Sequence, residues 1–149
     1  MQIKFNDDKL KHSLNVARKC YEIAKNKYQK DEDFARKMWL IGYCHDIGYE
    51  FATNENPHEH PWIGSDIIRM AFGSSCKPIM EHGKRVPQTM DELRILNEAD
   101  LRVDRKGNIV SVENRLSDIA IKHGYSSPQY VNAHWLAKEL GLIEDTDMN

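Results

Sequence analysis

The chain has 149 residues, 40% of them hydrophobic and 30% charged, with a formal net charge of −2 at pH 7. A charge so close to zero gives no general attraction to nucleic acid or to an anionic membrane. A mean hydropathy of −0.68 and the lack of any apolar run near ~20 residues speak against a membrane span. That length suits one domain, which buries about 70% of its unfolded surface without staples. Residues 1–7 lack the apolar core of a secretion signal. Cys20, Cys44 and Cys76, odd in number and set in apolar patterns, read as reduced thiols. Both features point to the cytoplasm.

In chain order, Leu10, Leu14, Val16, Ala17, Cys20, Tyr21, Ile23 and Ala24 fall at helical spacing between Asn6 and about Lys27, with Asn6 or Asp7 as cap. His12 lies at the inner edge of that stripe. Asp31 or Asp33 caps a second helix through Phe34, Met38, Trp39 and Ile41, ending near Gly48. Residues 48–60 are polar and contain Pro57, which predicts a loop. Pro61 opens a helix through Trp62, Ile63, Ile67, Ile68 and Phe72, closed by Gly73.

Ser74 or Ser75 starts a short helix that runs through Ile79 and Met80 to His82 and ends at Gly83. Thr89-Met90-Asp91-Glu92 is a capping-box pattern for a helix carrying Leu93, Ile95, Leu96 and Ala99, with Asp100 near its end. Residues 104–108 form a turn and Ile109-Val110 a short extended piece. Ser111 caps a helix with Leu116, Ile119, Ala120 and Ile121, ended by Gly124; Ser127-Pro128 starts the last one, through Val131, Trp135 and Leu136 to Gly141. With no repeat, low-complexity tract or linker, the expectation is one all-α domain, a bundle of about six to seven helices over 1–149. The three tryptophans read as packing, His123 as a helix C-terminus and His134 as structural or exposed.

The chemistry-bearing residues cluster at helix ends. Tyr43-Cys44-His45-Asp46-Ile47-Gly48 places a histidine and an aspartate side by side where an apolar helical run stops. Neighbouring helical residues point about 100° apart, so both reach one point only near the helix end. Imidazole with carboxylate suits a divalent cation of intermediate hardness. The doublet alone proves little, since such a pair recurs by chance, and its plain reading is a helix cap; its companions weigh against that. His12, His60, His82 and Asp100 also fall at or beside helix termini, His12 excepted, and several helices of a bundle can aim such residues at one cleft. Four histidines and two carboxylates exceed what one open metal site needs and suit two ions sharing a carboxylate.

This ordered series resembles the HD superfamily of metal-dependent phosphohydrolases. The matching stretches are Lys11-His12-Ser13-Leu14-Asn15-Val16-Ala17, Cys44-His45-Asp46-Ile47-Gly48, His60-Pro61-Trp62-Ile63-Gly64-Ser65, Ile79-Met80-Glu81-His82 and Asn97-Glu98-Ala99-Asp100. They span about residues 10–105, leaving the helices of about 111–141 outside the motif-bearing core. The layout is most similar to small bacterial binuclear members that cut dinucleoside tetraphosphates. The resemblance implies that His12, His45, Asp46 and Asp100 hold one metal and that Asp46, His60 and His82 hold a second, with Asp46 bridging. His58 rivals His60 for its place. Iron or manganese is favoured by the family, with nickel, cobalt or magnesium as further members of the set; nitrogen and oxygen donors fit that group.

Two dications lower the pKa of a shared water and neutralise phosphoryl oxygens, so the implied reaction is hydroxide attack on a phosphoester or phosphoanhydride, with Asp46 and His45 at its centre. The implied substrate is a small phosphorylated metabolite, in the first place a nucleotide. Many binuclear relatives carry a lysine after the doublet, where this chain has Tyr49 and then Glu50. Lys84, Arg85 and Arg102 are the candidate replacements for that phosphate contact, and Tyr49 is a candidate substrate contact. The alternative function is a regulatory module that binds a nucleotide without turning it over; oxidative di-iron chemistry ranks last. A homodimer is compatible with the sequence but not required by it.

Overall fold

Side-chain caps explain where three of the six described helices begin. Asp31 is the N-cap of one helix, its carboxylate accepting the Phe34 N–H at 2.9 Å. Ser111 and Ser127 do the same for Asn114 N and Tyr130 N, and Pro128 occupies the first turn after Ser127. The structure is a computed structural model that describes residues 7–46 and 77–144. Among the described residues the helices are α1 (Asp7–Asn26), α2 (Glu32–Cys44), α3 (Lys77–Glu81), α4 (Asp91–Asp100), α5 (Val112–His123) and α6 (Pro128–Glu139). No strand forms among them, and the fold is all-α. The extended piece at Ile109 is one antiparallel bridge to Val103, with Val110 N–H donating to Arg102 O. No helix among the described residues is long and apolar enough to cross a membrane.

Several expectations need correction. The second helix stops at Cys44, not near Gly48: His45 is its C-cap, and the Gly42 carbonyl takes both the His45 N–H and the His45 ring, ending the regular ladder. The capping box does not form at α4. Its N-cap is Met90, without a side-chain bond, and Glu92 meets Lys37 across on α2 at 3.3 Å. Asp7 is the first residue of α1, not its cap. Leu10 and Ile121 fit the helical spacing yet lie exposed. Asn6, the residue 48–60 loop, the Pro61–Phe72 helix, Ser74, Ser75 and Cys76 lie outside the described residues. Cys20 and Cys44 are free thiols. Trp39 stacks on Tyr43, and Trp135 packs at the edge of the second core described below.

Helix α1 runs along α2, and α4 packs on both; α3 lies against α4 and α2. Their shared core is Val16, Cys20, Ile23, Ala35, Met38, Ile41, Ile79, Ile95, Leu96, Ala99 and Val103 with smaller neighbours. Helices α5 and α6 pair with one another around a second cluster, Val112, Leu116, Ala133, Leu136 and Ala137, which Leu101 joins from the end of α4. Ala99 and Val103 point into the first core and Leu101 into the second, so the residues flanking Asp100 are pinned from two sides. Helices α1 and α2 approach closely at Gly42: a Cβ there would lie 2.9 Å from Cys20 Sγ and 3.0 Å from Ala17 Cα. That contact lets the end of α2, which carries the doublet, sit tightly on α1.

Candidate metal centre

Five of the residues singled out in the sequence meet at the α2 terminus. His12 comes from the second turn of α1, His45 and Asp46 from the end of α2, His82 from just past α3, and Asp100 from the last turn of α4. His12 Nε2 lies 3.0 Å from Asp100 Oδ1 and 3.6 Å from Asp46 Oδ2. His45 Nε2 lies 3.1 Å from Asp46 Oδ2 and 3.4 Å from Asp100 Oδ1. His82 Nε2 faces the other oxygen of Asp46, Oδ1, at 3.4 Å. The His12 and His82 rings stand 5.3 and 5.2 Å from that of His45.

All three imidazoles are buried and oriented in the same way. Each uses Nδ1 to donate to a backbone carbonyl: His12 to Asp104 O at 2.8 Å, His45 to Gly42 O at 2.6 Å, His82 to Ile79 O at 2.5 Å. A carbonyl can only accept, so Nδ1 carries the proton and Nε2 is the nitrogen turned toward the carboxylates. That is the arrangement by which outer partners fix the tautomer of a metal-ligating histidine. His45 Nε2 is buried and, among the described residues, has no hydrogen-bond partner of acceptable geometry, close as the two carboxylates are. Asp46 and Asp100 keep 24% and 26% of their side-chain surface exposed, so solvent reaches both carboxylates.

The charges are strongly coupled. Burial disfavours the charged form of His45, but Asp46 and Asp100 outweigh it and hold the imidazole well above its ordinary value. Burial likewise works against the two carboxylates, and His45 overrides it, drawing both well below the usual range; His82 adds to this at Asp46 and His12 at Asp100. Burial, and then Asp100, raise the Cys20 thiol, which therefore stays protonated beneath the site. Ligand atoms of His12, His45 and Asp46 all lie within 4.8 Å of one another, a spacing that could hold a metal ion. An orphaned buried nitrogen and an all nitrogen-and-oxygen donor set fit a divalent cation.

The remaining candidates divide. Lys84 and Arg85 are exposed on the segment after His82, where Gly83 turns with φ 76°. Arg85 lines an open cavity of about 450 Å³ with Val131, His134, Trp135, Lys138 and Glu139. Arg102 is held elsewhere: its Nε donates to Glu98 at 3.1 Å, and Lys27 takes the other oxygen of that buried carboxylate at 2.7 Å. His123 ends α5, as expected, and His134 stacks on Tyr130. Tyr49, Glu50, His58 and His60 lie outside the described residues.

Two residues that shape the site escaped the sequence reading. Gly42 supplies the carbonyl that holds His45. Asn97, buried on α4, accepts the Gly83 N–H at 2.9 Å and so fixes the chain just past His82. Its spacing three before Asp100, on the same helix face, is the signal that could have found it. Comparison with curated proteins and with solved structures found no match. Over residues 10–104, most of the chain, the sequence matches the HD-domain family. With that match and these five residues around one point, the chain belongs to the HD-domain family, whose proteins are generally metal-dependent phosphohydrolases.

Proposed function

We propose that this protein hydrolyses a phosphoester or phosphoanhydride of a nucleotide or related small metabolite, using two divalent cations. The observation that carries the reading is the convergence of three Nδ1-anchored histidines on two carboxylates that solvent reaches. His12, His45, Asp46 and Asp100 would hold one ion; Asp46, His82 and His60 the other. Asp46 turns Oδ2 toward His12 and His45 and Oδ1 toward His82, an orientation that suits a bridging carboxylate. Iron or manganese is favoured. When bound, such ions supply Lewis-acid activation of water and neutralise phosphoryl charge.

The chain's own residues do the rest. The carbonyls of Asp104, Gly42 and Ile79 hold the rings so that Nε2 needs no reorganisation. Lys84 and Arg85, exposed beyond His82, would draw in the phosphate. Arg102, bound to Glu98, is the weaker candidate for that task.

The test is metal analysis of the protein purified without chelator, followed by phosphate release across a nucleotide panel. About two equivalents per chain and release that disappears in Asp46→Ala, with helical circular dichroism retained, are expected. A metal-free protein that binds nucleotide tightly and releases no phosphate when manganese or iron is added back would replace this reading with the regulatory one.

A further inference from the structure

The three histidines differ in where their anchors come from. Gly42 O and Ile79 O lie three residues before His45 and His82, so local geometry supplies them. The His12 anchor, Asp104 O, is 92 residues away in sequence. It belongs to the turn of residues 104–108, which is built more firmly than chain reversal requires. Asp104 Oδ1 accepts the Lys106 and Asn108 N–H groups at 3.0 and 2.8 Å, Asp104 N–H donates to Asn108 O, and Gly107 N–H donates to Asp104 O.

The closed turn is then fastened to one stretch of α1. Asn15 Nδ2 donates to Gly107 O at 2.5 Å, and Lys11 Nζ to Asn108 Oδ1 at 3.1 Å. Gly107, at φ +85°, approaches so closely that a Cβ would lie 2.7 Å from the Lys11 carbonyl carbon. Lys11 and Asn15 flank His12, so these contacts fix the distance between the His12 ring and the Asp104 carbonyl.

We infer that the 104–108 turn is the positioning device for His12, holding the Nδ1 proton through the Asp104 carbonyl so that Nε2 is committed to the metal. The inference rests on the reading of His12 as a ligand. Asp104 acts here through its loop and not as a ligand: its side-chain oxygens are occupied by the turn's own N–H groups.

The experiment is Mn²⁺ titration of the full chain, following free Mn²⁺ by electron paramagnetic resonance, with Co²⁺ absorption bands as a report on ligand geometry. Asp104→Ala should weaken Mn²⁺ binding about tenfold and shift the Co²⁺ bands. Asp104→Asn, which keeps an acceptor for the turn, should restore both. Asn15→Ala removes one staple from the helix side and should weaken binding roughly threefold; it serves where Asp104→Ala does not fold. His12→Ala is the reference. If His12→Ala weakens Mn²⁺ binding and neither Asp104→Ala nor Asn15→Ala changes it, the positioning role is wrong. An Asp104→Asn chain as weak as Asp104→Ala would mean that charge, not the turn, matters, and would overturn it too. If His12→Ala itself binds Mn²⁺ unchanged, the ligand reading falls and takes this inference with it.

Discussion

At the scale of single residues, two carboxylates share one buried imidazole. Burial works against the charge on His45, yet Asp46 and Asp100 raise it well above its ordinary value. A raised folded-state value contributes stability that is fully present below the unfolded histidine range and is lost as pH climbs through the raised value. Asp46 and Asp100 are shifted the other way, against their own burial and chiefly by His45, so their contribution is present above the ordinary carboxylate range and lost as pH falls through the lowered values. The chelated chain is therefore expected to melt lower at both ends of that window. A dication bound there would replace the His45 proton as the counter-charge, so the metal-loaded chain should not show the alkaline loss, and metal uptake near neutral pH should release a proton. Melting curves with chelator and with Mn²⁺ across roughly pH 3 to 9 check both ends of the window and the missing alkaline loss, and calorimetry in two buffers of different ionisation enthalpy checks the proton release. Equal alkaline loss with and without metal, and no proton release, would show that His45 does not change partner.

Among the elements, the α1–α2 seam sets the site's geometry more than any other contact, because both His12 and the doublet ride on it. Gly42 is there for want of a side chain: Cys20 Sγ, Ala17 Cα and Val16 O stand 2.9, 3.0 and 3.1 Å from where a Cβ would be. Two of those are backbone or near-backbone atoms that cannot swing away. Gly42→Ala should cost about 1–3 kcal/mol by overpacking, and should also loosen metal binding, since the Gly42 carbonyl holds His45. Urea denaturation with chelator and Mn²⁺ titration measure the two effects separately; a variant as stable as the parent would show the seam to be slack. Helix existence was legible because polar caps and apolar spacing agree at Asp31, Ser111 and Ser127-Pro128. Two boundaries were not. Thr89 has the residue type of a cap, but the turn starts one residue later and Glu92 finds Lys37 instead. The α2 helix ends early because a ring nitrogen takes a share of a helix carbonyl, and such competition leaves no mark in periodicity.

Across the whole molecule, the residues that meet at the site were readable from their types and order, whereas what orients them was not. The partner of each histidine is a backbone carbonyl, an atom every residue has, so no pattern in the sequence distinguishes Asp104 or Gly42 from any other position. The division of the core was equally hidden: Ala99, Leu101 and Val103 look like one apolar run, yet Leu101 alone turns to the α5–α6 cluster. That division has an energetic consequence. Every described member of the candidate metal centre lies on or beside α1 to α4, and α5 with α6 joins them through a small second core. Leu136 sits at its centre, 2% exposed. Leu136→Ala removes buried methyl groups and leaves a cavity, at a cost of about 2–5 kcal/mol. If the two cores open separately, amide exchange in this variant should accelerate over α5 and α6 while α1, α2 and α4 keep their protection, and Mn²⁺ affinity should stay at the parent's value. Exchange mass spectrometry with and without Mn²⁺ reads this directly. Acceleration spread evenly over all six helices, with metal lost in step, would mean that the C-terminal pair is part of one cooperative unit with the site and that the second core supports His12 and Asp100 as much as the first does.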